Sequence, residues 1–211
     1  MTREAFVGWL DRIDDLQARY AAPIRITFDD GNATDISIAL PELTKRNLKA
    51  SFFLCAGRLQ RPGYIDRVAV RELLDAGMEI GSHGMHHRDW RALDDEMLTE
   101  EIHTARRVLA NACGQTIETA AVPFGSFNRH VLNRLRAEGF SCVYTSDRGL
   151  ANPHAWLKPR NTLGADATPQ DLARSLRQST GPLKIFRNAR RLFRRLSGQA
   201  RYSSGGKPLV S

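Results

Sequence analysis

Two neighbouring carboxylates, Asp29 and Asp30, end the run Ile24-Arg25-Ile26-Thr27-Phe28 and are followed at once by Gly31. The β-branched and aromatic residues of that run predict a strand, and the glycine lets the chain turn without Cβ strain. Adjacent carboxylates repel each other, so stability alone is a poor reason to put them at a strand end. They become useful where one binds a metal and the other moves a proton. Taken alone, the motif also fits a turn whose aspartate caps the next helix.

A second cluster follows the short apolar run Met78-Glu79-Ile80. Three of the six histidines fall between positions 83 and 87, within Gly81-Ser82-His83-Gly84-Met85-His86-His87. His83 and His87, at i and i+4, fall on one side of a helical turn or tight loop and can share a cation. With Asp30 they offer two nitrogens and one oxygen and leave further positions open. Such an open set belongs to catalysis, because structural zinc sites close all four positions. The ion expected is Zn²⁺, with Co²⁺ or Ni²⁺ able to replace it. His103 and His130 read as ordinary surface or core histidines. A third segment, Ala120-Ala121-Val122-Pro123-Phe124-Gly125, brackets an aromatic residue with proline and glycine. Pro123 and Gly125 predict a rigid loop able to aim a backbone N–H at a substrate oxygen; the alternative is an ordinary turn.

Taken in order, Thr-Phe-Asp-Asp-Gly, Gly-Ser-His-Gly-x-x-His and Pro-Phe-Gly resemble the motifs of the polysaccharide deacetylase family, the NodB-homology carbohydrate esterases. The likeness covers about residues 22–163, and Asn47 to Leu54 also resembles that family's second strand. The resemblance implies an α/β fold, a deformed (β/α) barrel of about seven strands. It also implies metal-dependent hydrolysis of an N-acetyl group on a sugar, with a water at the metal activated by Asp29 as general base. Asp30, His83 and His87 are then the metal ligands, and Phe124, following Pro123, supplies the backbone N–H that holds the developing oxyanion.

The chain departs from that pattern twice. Ala121 stands where most members carry the arginine that orients the base, although a branch reading Ala-x-Pro-Phe-Gly exists. The late Leu-x-x-His, whose histidine serves as general acid, has no counterpart after Arg160. His154 is the last histidine of the chain. It is a candidate substitute whose alternative is a solvent-facing loop residue.

The elements that must position these residues alternate short apolar runs with helical patterns, the α/β signature. The periodicity predicts helices over 3–19, 35–46, 68–76, 94–112 and 129–138, and a strand over 142–145. The motifs then sit at strand C-terminal ends, where barrel enzymes keep their active sites. With 211 residues and 42% hydrophobic content, the chain can bury one sizeable core. Cys55, Cys113 and Cys142 show no paired spacing, and Cys55 and Cys142 read as small buried hydrophobes.

The net charge of +8 is carried by the C-terminal end: Asp171 is the last acidic residue, and ten basic residues follow it. Residues 1–171 form a near-neutral barrel with an N-terminal helix, which gives no support to nucleic-acid binding. Residues 172–211 form a basic tail, and its end, from Tyr202, is expected to be disordered. Within residues 183–196, Ile185, Ala189, Leu192, Phe193 and Leu196 share one helical face and arginines fill most of the rest. That stretch suits an anionic membrane surface, an acidic partner, or packing on the barrel. No apolar run reaches spanning length and the first residues do not read as a signal peptide. The expected compartment is the cytoplasm, and the membrane alternative for the tail would add attachment to the inner membrane surface. The leading function is removal of an acetyl group from an N-acetylated glycan, whether oligosaccharide, polysaccharide or lipid-linked precursor. The alternatives are hydrolysis of another C–N or ester bond, and a non-catalytic carbohydrate-binding descendant.

Overall fold

The computed structural model describes residues 1–20, 23–164, 166–168 and 170. The expected boundary at residue 171 and the helix expected over 183–196 lie outside them. Among the described residues no helix is long and apolar enough to cross a membrane.

Six strands form one sheet: β1 (Ile26–Asp30), β2 (Ala50–Leu54), β3 (Glu79–Ser82), β4 (Thr119–Ala121), β5 (Cys142–Thr145) and β6 (Leu157–Pro159). Each runs parallel to the one before it, in sequential order. A parallel sheet needs both faces covered, and the strands show it. All five residues of β2 are buried, and Phe52, Leu54, Leu43, Leu73, Leu98, Leu109 and Leu135 are fully so. Each such side chain contributes roughly 1.5–3 kcal/mol by leaving water. β3 approaches β2 closely at Gly81, where a Cβ would stand 2.5 Å from the Phe53 ring.

The helices follow the predicted pattern with shifted ends. α1 (Arg3–Leu10) and α2 (Ile13–Tyr20) replace one predicted helix. The break falls at Asp11, which is drawn to Arg46 at 2.7 Å. Residues 35–39 make a wide π-type turn that leads into α3 (Leu40–Lys45). α4 (Arg67–Asp75) starts where Asp66 accepts the Ala69 N–H at 2.8 Å. The long predicted helix is α5 (Asp95–Thr99), capped by Asp94, a second wide turn over Glu100–Thr104, and α6 (Ala105–Cys113). Gly114, at φ +68°, ends it in the left-handed conformation. α7 (Arg129–Ala137) is capped by Asn128.

Among the described residues the sheet has six strands where about seven are expected, and no backbone ladder joins β6 to β1. The chain leaving Pro159 reaches β1 through a side chain: Arg160 Nη1 donates to Thr27 Oγ1 at 3.0 Å and to Asp29. The result is a half-barrel with helices outside. The register sets Asp30 beside Leu54, Leu54 beside Ser82, and Ser82 beside Ala120. The strand ends therefore rise to one level and present Asp29, Asp30, His83 and the loop after Ala121 together. The three cysteines are free and buried, as read for Cys55 and Cys142.

Candidate active site and metal centre

β1 delivers Asp29 and Asp30 to successive sides of its last turn. Asp30 has φ +82°, and Gly31 follows at +77°. Six described non-glycine residues have positive φ, and three of them are Asp30, His87 (+60°) and Phe124 (+58°), all singled out by the sequence. Such conformations cost about 1–3 kcal/mol each and persist only where the surroundings enforce them. Their concentration at one sheet end is evidence for a site independent of the residue types.

Asp30, His83 and His87 each offer a ligand atom, and these atoms lie within 4.8 Å of one another. His87 Nε2 is 3.5 Å from Asp30 Oδ1, and the two imidazole rings meet edge to face at 4.9 Å. His83 is 2% exposed, with Nδ1 2.7 Å from the carbonyl oxygen of Ala121. A carbonyl only accepts, so Nδ1 carries the proton and the Nε2 lone pair faces Asp29 at 3.9 Å. Burial pushes the imidazole's pKa down, which keeps it in the neutral form a cation requires. The donor set therefore fits a divalent ion.

Asp29 does not point freely. Arg160 grips it with both arms, Nη1 to Oδ1 at 2.6 Å and Nη2 to Oδ2 at 2.8 Å. Burial alone would raise the carboxyl's pKa, but its surroundings, the Arg160 hydrogen bonds foremost, hold it below the ordinary value. Arg160 also crosses the ring of Phe53, which packs with Ala121 and Tyr144. The arginine missing at position 121 thus has a counterpart at the end of β6, and Asp29 stays ionised and oriented. Arg58, from the turn after β2, donates to Asp30 Oδ1 at 2.7 Å, and the Cys55 thiol lies 3.6 Å from the same oxygen.

Pro123 is buried, and the turn it starts leaves Phe124 62% exposed, its ring meeting that of His87 edge to face at 4.4 Å between ring centres. His154 is exposed in the loop between β5 and β6, where its backbone N–H is held by Asn152. It lies three residues before β6, and Val143 N–H bonds to Trp156 O beside it. That is the N-terminal end of β6, opposite the end that carries Arg160, so the candidate acid is not brought to the site. Sequence reading missed Arg160, Arg58 and β6 itself, a strand of three residues ending in proline.

The sequence profile described as polysaccharide deacetylase matches residues 18–143. A chitooligosaccharide deacetylase of Rhizobium leguminosarum bv. trifolii is 30% identical over 138 residues, covering 64% of this chain and 60% of that protein. A putative polysaccharide deacetylase, YxkH, of Bacillus subtilis (strain 168) is 24% identical over 129 residues, covering 61% of this chain and 46% of that protein. The chain thus spans about half to three-fifths of these curated relatives. Among solved structures, IcaB from Ammonifex degensii superposes with a TM-score of 0.71 at 23% identity, covering 83% of this chain and 89% of that one. The Streptococcus pyogenes deacetylase PplD in complex with acetate gives 0.68 at 18% identity, covering 83% and 78%. At these identities the superpositions speak for the fold.

Proposed function

The chain belongs to the polysaccharide deacetylase family, and from that membership and the geometry of its site we propose that it hydrolyses the N-acetyl group of a glycan. The observation that carries the reading is the arrangement at the ends of β1 and β3: a three-donor cation set beside a carboxylate held ionised by an arginine fork. Asp30, His83 and His87 would hold the divalent ion, with zinc the best match to two imidazoles and a carboxylate; bound there, it supplies Lewis acidity to the acetyl carbonyl and to water.

The remaining roles fall to this chain's own side chains. Asp29 takes a proton from the attacking water, whose oxygen bonds to the acetyl carbon. The Phe124 backbone N–H donates to the oxygen on which negative charge develops. When the C–N bond breaks, the leaving nitrogen needs a proton. With His154 at the far end of β6, protonated Asp29 is the group on hand to return it. The exposed Phe124 ring offers a flat apolar surface to a sugar ring at the mouth.

The test is acetate release by the purified chain from N-acetylglucosamine oligomers, with metal content measured on the same sample. The reading predicts one equivalent of divalent ion and acetate release that stops on chelation and returns with zinc. Metal without acetate release, but with hydrolysis of acetyl esters, would replace the amide substrate with an ester. Absence of both would remove the catalytic reading.

A further inference from the structure

The loop that carries the chain from His83 to His87 and on to Trp90 converges on a single side chain. Glu101 lies on the wide turn between α5 and α6 and is fully buried. Its Oε1 accepts the His86 N–H at 2.9 Å, with Arg88 Nε 3.8 Å away. Its Oε2 accepts the Met85 N–H at 3.1 Å and the Trp90 indole N–H at 3.2 Å. The three donors and the nearby guanidinium all come from residues 85–90. Gly84, at φ +84°, completes the fit: a Cβ there would strike Glu101 Oε2 and stand 3.1 Å from the Trp90 ring.

A carboxyl group in an apolar core is costly unless its oxygens are filled. Here they are filled by two backbone N–H groups between the two histidines and by the Trp90 indole. Two of these bonds fall on the residues immediately before His87, whose own φ of +60° is unfavourable for a residue with a Cβ. With residues 85 and 86 held, His87 Nε2 stands 3.5 Å from Asp30 Oδ1.

We propose that Glu101 is a positioning residue that forms the cation site before the cation arrives, by pinning residues 85 and 86 so that His87 already faces Asp30. It touches neither ion nor substrate and acts through the loop. The proposal rests on the reading of Asp30, His83 and His87 as ligands. Outer partners of metal ligands commonly set affinity by about 10–100-fold.

The experiment is calorimetric titration of the metal-free full chain and its Glu101→Gln variant with Zn²⁺ alone, beside their melting temperatures without metal. Glutamine keeps the shape but turns an N–H₂ toward one set of donors. Zinc affinity should fall by about 10–100-fold in a variant that still melts cooperatively. A variant that melts lower yet binds zinc as the parent does would make Glu101 a purely structural residue and overturn the proposal. A parent chain that takes up no zinc would instead remove the ligand reading itself. A second measurement needs no variant: hydrogen exchange of the Met85 and His86 amides in the metal-free parent. Pre-formation requires both to be slow before zinc is added. Exchange at open-loop rates that slows only with zinc would overturn it, whether or not Glu101→Gln folds.

Discussion

Arg160 lends itself to a decisive perturbation, because charge and geometry can be removed separately. Arg160→Met deletes two charge-assisted bonds to Asp29, at 2.6 and 2.8 Å, and the bond to Thr27. The carboxylate keeps about a third of its exposure, so water compensates part of the loss, and destabilisation should be about 1–3 kcal/mol. The kinetic effect should be larger in consequence. A positioned base contributes about 10²–10⁴-fold, and a base free to rotate should forfeit about 10–10²-fold of it in kcat, with KM little changed. The pH profile carries the sign. As the proposed base Asp29 must be ionised, and its pKa lies below the ordinary value, so activity in the parent should be lost only as pH falls through that depressed pKa. In Arg160→Met burial acts with less opposition, the pKa rises, and the acidic limb must move to higher pH. Arg160→Lys separates the two roles: its point charge should return the limb toward the parent's, while kcat stays low for want of the fork. The assay is acetate release from an N-acetylglucosamine oligomer at saturating zinc between pH 4 and 9. An Arg160→Met enzyme with the parent's kcat and acidic limb would refute the assignment of Arg160 and weaken that of Asp29.

Other perturbations separate the remaining residues. Asp29→Asn should keep stoichiometric zinc and lose turnover, whereas Asp30→Asn should lose zinc; equal metal loss in both would make Asp29 a ligand. His154→Ala should leave kcat and the alkaline limb unchanged, since it lies at the wrong end of β6; a 10²-fold loss would reinstate it as acid. Asp35, buried behind the site, has its carboxyl pushed up to about 7, first by burial and then by the charges of Asp30 and Asp29. The folded metal-free protein therefore keeps a proton that the unfolded chain releases near pH 4, and stability should fall as pH rises from about 4 to 7. Asp35→Asn should flatten the melting temperature over that window; an unchanged slope would mean another group titrates there.

What the sequence made legible is local. Asp29-Asp30, the 83/87 pair and Pro123-Phe124 each lie within a few residues of a strand end, so residue type and spacing suffice to place them. The strands and helices follow from apolar periodicity, helped at one helix start by Asp94; the caps Asp66 and Asn128 were found only in the structure. The two wide turns were not legible, because a π-type turn changes no residue type. Neither was β6, too short for any alternation and closed by Pro159. Arg160 and Arg58 are out of reach for a different reason: their partners are 131 and 28 residues away, and nothing local marks an arginine that will bond a distant aspartate. Glu101 did leave a signal. It stands three residues after Leu98 and four before Ala105, on the face that Leu98, Ile102, Ala105 and Leu109 bury. A carboxylate on an apolar stripe contradicts the pattern around it, and such contradictions are where function is to be sought.

The two departures from the family pattern are resolved in different ways, and the difference bears on the proposed chemistry. The arginine absent at position 121 has a spatial equivalent, because the half-barrel brings the end of β6 across to β1 and Arg160 fills the span that backbone bonds leave open. The histidine absent after Arg160 has no such equivalent in His154. An arginine fork that depresses the carboxyl's pKa makes Asp29 a weaker base but, once protonated, a stronger acid. Weak basicity is tolerable where water is acidified by an adjacent cation, and strong acidity suits a group that must return its proton to the departing nitrogen. The Arg160 grip and the absence of the late histidine are therefore consistent with one another: under the proposed chemistry both favour Asp29 serving twice, first taking the proton from water and then delivering it across the broken bond.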